Sequence, residues 1–140
     1  MKSKLIICLF FSISIFFTNC SDTKGDLTEN QKDIQGSWTL ISSSGMISGS
    51  AHEFEPGTIV WKFDSAGNVT IINNNTETSF DDSYDSGIYK YLINSQSSNS
   101  ICKKNLIIKN QNNGCLIIEN NSLYLGDNFA DGPNYYFQKQ

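Results

Sequence analysis

From Ile34 onward the sequence predicts an all-β domain, a small eight-stranded antiparallel barrel with a two-sheet sandwich as the alternative. Three observations carry this prediction. Apolar residues come in short runs that alternate with polar ones at period two, and clusters of Gly, Asn, Asp and Ser separate the runs. No stretch shows the three-to-four-residue repeat of an amphipathic helix.

The strands are expected at 36–43, 58–64, 68–73, 86–93, 104–109, 115–119, 122–126 and 134–138. The first opens on Gly36-Ser37-Trp38. In the second, Ile59, Trp61 and Phe63 fall on one face because side chains alternate along a strand. Ser65-Ala66-Gly67 then forms a hairpin turn, with Gly67 suited to positive φ, and leads into the third. Tyr89, Tyr91 and Ile93 share a face of the fourth, and Asn120-Asn121 turns the seventh back on the sixth. Asp131-Gly132-Pro133 sharpens the approach to the last strand, where Pro is tolerated because it need not donate to the ladder. Longer polar connections fall at 44–57, 74–85 and 94–100. Closing the strands into a barrel removes the sheet edges that would otherwise template aggregation.

Residues 1–33 have a different character. Lys2 and Lys4 precede an apolar run of 13 residues at 5–17, and Cys20 follows it closely. This is the layout of a secretory signal, and the run is short of the roughly 20 residues a membrane-crossing helix needs. Phe17-Thr18-Asn19-Cys20 resembles the lipobox that directs cleavage before a lipidated cysteine, and no Ala-x-Ala type site competes, since the first Ala is Ala51. The expected organisation is a signal at 1–19, the lipidated Cys20 and a flexible tether at 20–33, and one domain at 34–140. As a coil, 21–33 would span about 20 Å.

After removal of 1–19, eight Lys face fourteen acidic residues, a formal charge of −6, and there is no Arg. An acidic domain without the guanidinium fork is poorly suited to nucleic acid. With Cys8 in the signal and Cys20 lipidated, Cys102 and Cys115 remain as a candidate disulfide. A direct hairpin between 104–109 and 115–119 would put Cys115 beside residue 108, roughly 20 Å along the strand from Cys102. A disulfide needs Cα atoms within about 7 Å. Pairing therefore requires the chain around 101–104 to fold back, or the strands not to be neighbours. Two small buried side chains are the other reading, and both stay open.

Gly36-Ser37-Trp38-Thr39-Leu40, the hairpin from Trp61 through Gly67 to Val69, and Asp131-Gly132-Pro133-Asn134-Tyr135-Tyr136-Phe137 together resemble the short lipocalin-like domains of Gram-negative envelope lipoproteins. The resemblance covers about 34–140. It implies that Trp38 plugs the closed end of a barrel and that a basic residue of the last strand, here Lys139, packs over its ring. Such a cation–π pair is worth about 0.5–2 kcal/mol.

No catalytic constellation is found. His52 is the only His, and His52-Glu53-Phe54-Glu55 lacks the second His of a zinc motif. Asp81, Asp82 and Asp85 have Ser86 and Leu92 where a calcium loop needs Gly and Glu. Asp64-Ser65-Ala66 resembles an acceptor tripeptide for O-glycosylation in some Gram-negative envelopes. No metal, cofactor or enzymatic activity is expected. The expected function is a non-enzymatic barrel held by its lipid to a membrane of the cell envelope, the outer membrane by analogy with sorting rules, since Ser21 follows Cys20. It would bind a small apolar or amphipathic ligand in a shallow cup rimmed by Tyr91, Tyr135, Met46 and Ile47. The alternative is a surface module with a filled interior that contacts an envelope protein or glycan through its loops.

Overall fold

The computed structural model describes residues 29–45, 51–79, 82–96, 102–126 and 132–140. Cys20, Met46, Ile47 and Asp81 lie outside the described residues. A short helix, α1 (Glu29–Ile34), is followed by nine strands: β1 (Gly36–Ser44), β2 (His52–Glu53), β3 (Ile59–Phe63), β4 (Asn68–Asn73), β5 (Gly87–Ser95), β6 (Lys104–Ile108), β7 (Gln111–Glu119), β8 (Ser122–Gly126) and β9 (Asn134–Lys139).

From β3 to β9 each strand pairs antiparallel with the next, β1 pairs with β3, and β9 pairs back onto β1. The result is a closed eight-stranded barrel with no free edge, which decides against the sandwich. The ninth strand, β2, is an addition to β1, with Ser42 opposite Glu53. The barrel has two unlike rims. An entry rim gathers α1, the β3–β4 hairpin, the β5–β6 connection, the β7–β8 turn and the C-terminus. The far rim gathers the connections β1–β3, β4–β5, β6–β7 and β8–β9.

The period-two pattern puts the apolar side chains inside. Ile59, Trp61 and Phe63 of β3, Val69 and Ile71 of β4, Leu106 and Ile108 of β6, Leu123 and Leu125 of β8, and Tyr135 and Phe137 of β9 are all buried in one core. This is the inverse of a membrane-spanning barrel, whose apolar band faces outward.

Besides β2, which falls within the connection expected at 44–57, three elements depart from the sequence expectation. The helix α1 falls in the segment read as tether. It carries a single aliphatic residue, Ile34, so it has no periodicity to detect. A six-residue helix is also too short to be stable alone. Tertiary contacts hold it: Ile34 is fully buried, and its carbonyl accepts the Trp38 indole N–H at 2.7 Å. Strand β7 begins at Gln111, four residues earlier than expected. Its leading Gln111-Asn112-Asn113-Gly114 is polar, so hydropathy could not mark it. Lastly, β5 extends to Ser95 through residues read partly as loop, pairing Asn94 with Asn105.

Candidate functional site

The interior was expected to leave a cup at the rim bordered by 44–57 and 74–85. Trp61 instead lies within a chain of ring contacts, with Phe137 at 4.9 Å, Tyr84 at 5.8 Å and Phe63 at 6.2 Å between centroids. Tyr84, in the β4–β5 connection, reaches across the far rim to donate its hydroxyl proton to Asn113 Oδ1 of β7 at 2.8 Å. Aromatic side chains therefore occupy the centre and cover one mouth. Trp61 Nε1 is buried without a hydrogen-bond partner among the described residues. An unpaired donor of this kind costs about 1–3 kcal/mol.

Tyr91 and Tyr135 do not form a rim. They are only 2% and 5% exposed. Tyr91 stands edge-on to Phe63 at 5.0 Å and donates its hydroxyl proton to the Asp64 carbonyl at 3.2 Å. It also sits towards the entry rim, since β5 is staggered along β4 and the Tyr91 N–H meets the Gly67 carbonyl of the β3–β4 hairpin. Burial, helped by the nearby Asp64 charge, pushes the Tyr91 phenol above its ordinary pKa.

At the entry rim, Gly36, Trp38 and Lys139 come together. Trp38 is fully buried and lies opposite Lys139 in the β1–β9 register, with Lys139 Nζ 5.1 Å from the centre of the Trp38 ring. Gly36 has a φ of +116°, and a Cβ there would lie 3.3 Å from Lys139 Cε. Any other residue at 36 would be strained and would press on the lysine stem crossing the indole.

Beside this plug, α1, the β5–β6 connection and the outer face of β7 border an open groove of about 590 Å³. Lys32, Lys103, Lys104 and Lys139 line it, with Asp33 and the half-exposed Ile117. Asp33 pairs with Lys104 at 3.3 Å. The chemistry available here is that of a cationic surface with an apolar floor.

Cys102 and Cys115 are joined in a disulfide, with Cα atoms 5.4 Å apart. The distance conflict is resolved by register. Lys109 and Asn110, both at positive φ, make a two-residue turn. A bulge then shifts the ladder so that Cys115 stands opposite Asn105, three residues from Cys102. The positive φ at Lys109 is the feature that hydropathy reading missed.

The far rim carries the other polar grouping, a depression of about 360 Å³ lined by amides, hydroxyls and carboxylates, including Asn73, Glu77, Asp82 and Asp85. Asp82 Oδ2 accepts from the side-chain amides of Asn73 and Asn75 at 2.9 and 3.0 Å, so this carboxylate organises the loop. His52 Nε2 lies 3.9 Å from Glu77 Oε2, and its ring packs edge-on against Phe54. Among the described residues, no group of three or more His, Cys, Asp or Glu is placed to hold a metal ion.

In the β3–β4 hairpin, Asp64 Oδ1 accepts the Ala66 and Asn68 N–H groups at 2.8 Å each, leaving Ser65 exposed. Desolvation pulls the Asp64 pKa up. The bonds from Asn68 and Ala66, with the Lys90 charge, outweigh it and hold the carboxyl below its usual value. On the outer wall, Ile88 is 72% and Leu92 56% exposed, four residues apart on the same face of β5.

The fold defines a closed antiparallel barrel with an apolar, side-chain-filled interior, a lysine-lined groove at the entry rim and a depression lined by amides and carboxylates at the far rim. No protein-family model matches the chain, and no curated protein matches it.

Proposed function

We propose that this chain is the precursor of a non-enzymatic, lipid-anchored protein of the cell envelope with a lipocalin-like barrel, acting as a surface interaction module on an envelope protein or glycan. The observation that carries the choice between module and interior carrier is the packed aromatic centre formed by Trp61, Phe63, Tyr84 and Phe137. A ligand cup at Tyr91 and Tyr135 would need both rings to leave the core. The amide- and carboxylate-rich depression at the far rim suits polar, hydroxyl-bearing partners, and exposed Ile88 and Leu92 add an apolar contact stripe. Export is supported independently by the Cys102–Cys115 bond, since structural disulfides belong to oxidising compartments.

Titration of the lipid-free domain with a fluorescent fatty-acid analogue tests the module reading. No saturable binding below about 100 μM is expected. Saturable micromolar binding that Tyr91→Ala or Tyr135→Ala removes would restore the interior carrier. For the anchor, cells expressing the full chain should incorporate labelled palmitate, and Cys20→Ser should remove the label and release the protein from membranes. Unchanged labelling and retention in that variant would reject Cys20 as the anchor.

A further inference from the structure

A lysine-lined groove opens at the rim where the described chain enters the barrel, a rim that also carries Asp64 and Glu119 outside the groove. Lys32, Lys103, Lys104 and Lys139 line the entry-rim groove, against one lining acid, Asp33. These are half of the eight lysines that follow residue 19, in a segment whose formal charge is −6. Asp33 is spent on Lys104, leaving Lys32, Lys103 and Lys139 exposed around Ile117. At the far rim, the β1–β3 and β4–β5 connections carry Glu53, Glu55, Glu77, Asp82 and Asp85. A groove lined by lysines and by Ile117 matches the interface of a lipid bilayer, where stems and aliphatic side chains bury and ammonium heads stay with the phosphates.

We propose that the lysine-lined groove of the entry rim docks on the anionic phospholipid surface to which the chain is tethered, so that the carboxylate-bearing far rim is presented away from the membrane. This rests on the lipid-anchor reading, which supplies the proximity. Cys20 precedes Glu29, the first residue of α1, by nine positions. Nine residues reach about 30 Å when extended and about 17 Å as a relaxed coil. A relaxed coil of that length would bring α1 to within about two Debye lengths of the headgroups, about 10 Å each at 0.1 M salt. The lysines that line the groove are contributed by α1, the segment before β6, β6 and β9, so closure of the barrel is what assembles them.

The test uses the chain from residue 20 with Cys20→Ser, so that no lipid assists. Its partition is measured by co-sedimentation with vesicles of phosphatidylcholine containing about 30% phosphatidylglycerol, and with phosphatidylcholine alone, at about 50 mM salt. Partition onto the anionic vesicles is expected to be at least about tenfold stronger, and to vanish in about 0.5 M salt. The double variant Lys32→Glu/Lys103→Glu should lose that advantage. The variant Lys90→Glu/Lys109→Glu carries the same charge change on residues that do not line the groove and should retain most of it; circular dichroism checks that both are folded. Equal partition onto the two vesicle types, or equal loss in the two double variants, overturns the proposal. A chain that incorporates palmitate but shows no preference for anionic vesicles keeps its anchor and loses the docking surface. Preference for anionic vesicles without palmitate labelling removes the anchor reading alone.

Discussion

Replacing Trp38 by Ala should lower the unfolding free energy of the lipid-free domain by about 3–5 kcal/mol, the usual cost of emptying a large aromatic site in a core. The effect belongs at the upper end of that range because three different contacts end on this side chain. The ring is fully buried, its N–H satisfies the Ile34 carbonyl at 2.7 Å, and its face receives Lys139 Nζ at 5.1 Å. Loss of the indole leaves the Ile34 carbonyl without that donor and removes the floor on which α1 rests. Trp38→Phe separates these terms, since it retains most of the apolar burial and loses the N–H. It should cost less than Ala but still more than about 1 kcal/mol. Urea unfolding followed by tryptophan fluorescence from Trp61 gives both values. A double-mutant cycle with Lys139→Met should return a coupling of about 0.5–2 kcal/mol. A Trp38→Ala cost below about 1.5 kcal/mol would mean that the entry rim is not closed by this residue.

How much of this molecule could be read from its sequence depends on which physical signal each part uses. Stretches with strict alternation, such as Asn68-Val69-Thr70-Ile71, announce both their identity and their inward face, because one face must be apolar to be buried. Gly67, at φ +76°, and Asn120, at φ +52°, mark turns through their tolerance of left-handed backbone. Lys109 adopts the same backbone without a compositional warning, so the β6–β7 turn was placed too late and with it the start of β7. The stagger of β5 along β4 is a property of barrel closure, invisible to any local pattern. It moved Tyr91 from the expected rim to a buried position beside the β3–β4 hairpin. The entry-rim groove was illegible for a related reason. Lys32, Lys103, Lys104 and Lys139 are spread over more than a hundred residues, and only the pairing of β9 with β1 brings the C-terminus beside α1.

Removing the Cys102–Cys115 bond should be the second large perturbation, costing about 3 kcal/mol by the chain-entropy estimate for a loop of this length. The bond spans 13 residues that include β6, the Lys109–Asn110 turn and the first half of β7, and it ties the end of the β5–β6 connection to the ladder. Without it, that end is held mainly by backbone pairing of the Gln96 N–H with the Lys103 carbonyl and by the partly exposed Lys104–Asp33 pair. An exposed ion pair contributes little. The double variant Cys102→Ser/Cys115→Ser should therefore shift the urea midpoint downward while leaving the strand content unchanged. Treating the wild-type chain with dithiothreitol should produce the same shift, and dithiothreitol should have no effect on the double variant. A single Cys102→Ala variant should lose nearly as much stability as the double variant, because either change opens the same loop. The bond also links the groove to its compartment, since Lys103 and Lys104 sit directly after Cys102 and are positioned by it. A reduced chain should lose part of its preference for anionic vesicles along with its stability. If reduction leaves the urea midpoint unmoved, the β6–β7 register is maintained by the turn and bulge alone, and the covalent link is dispensable for the barrel.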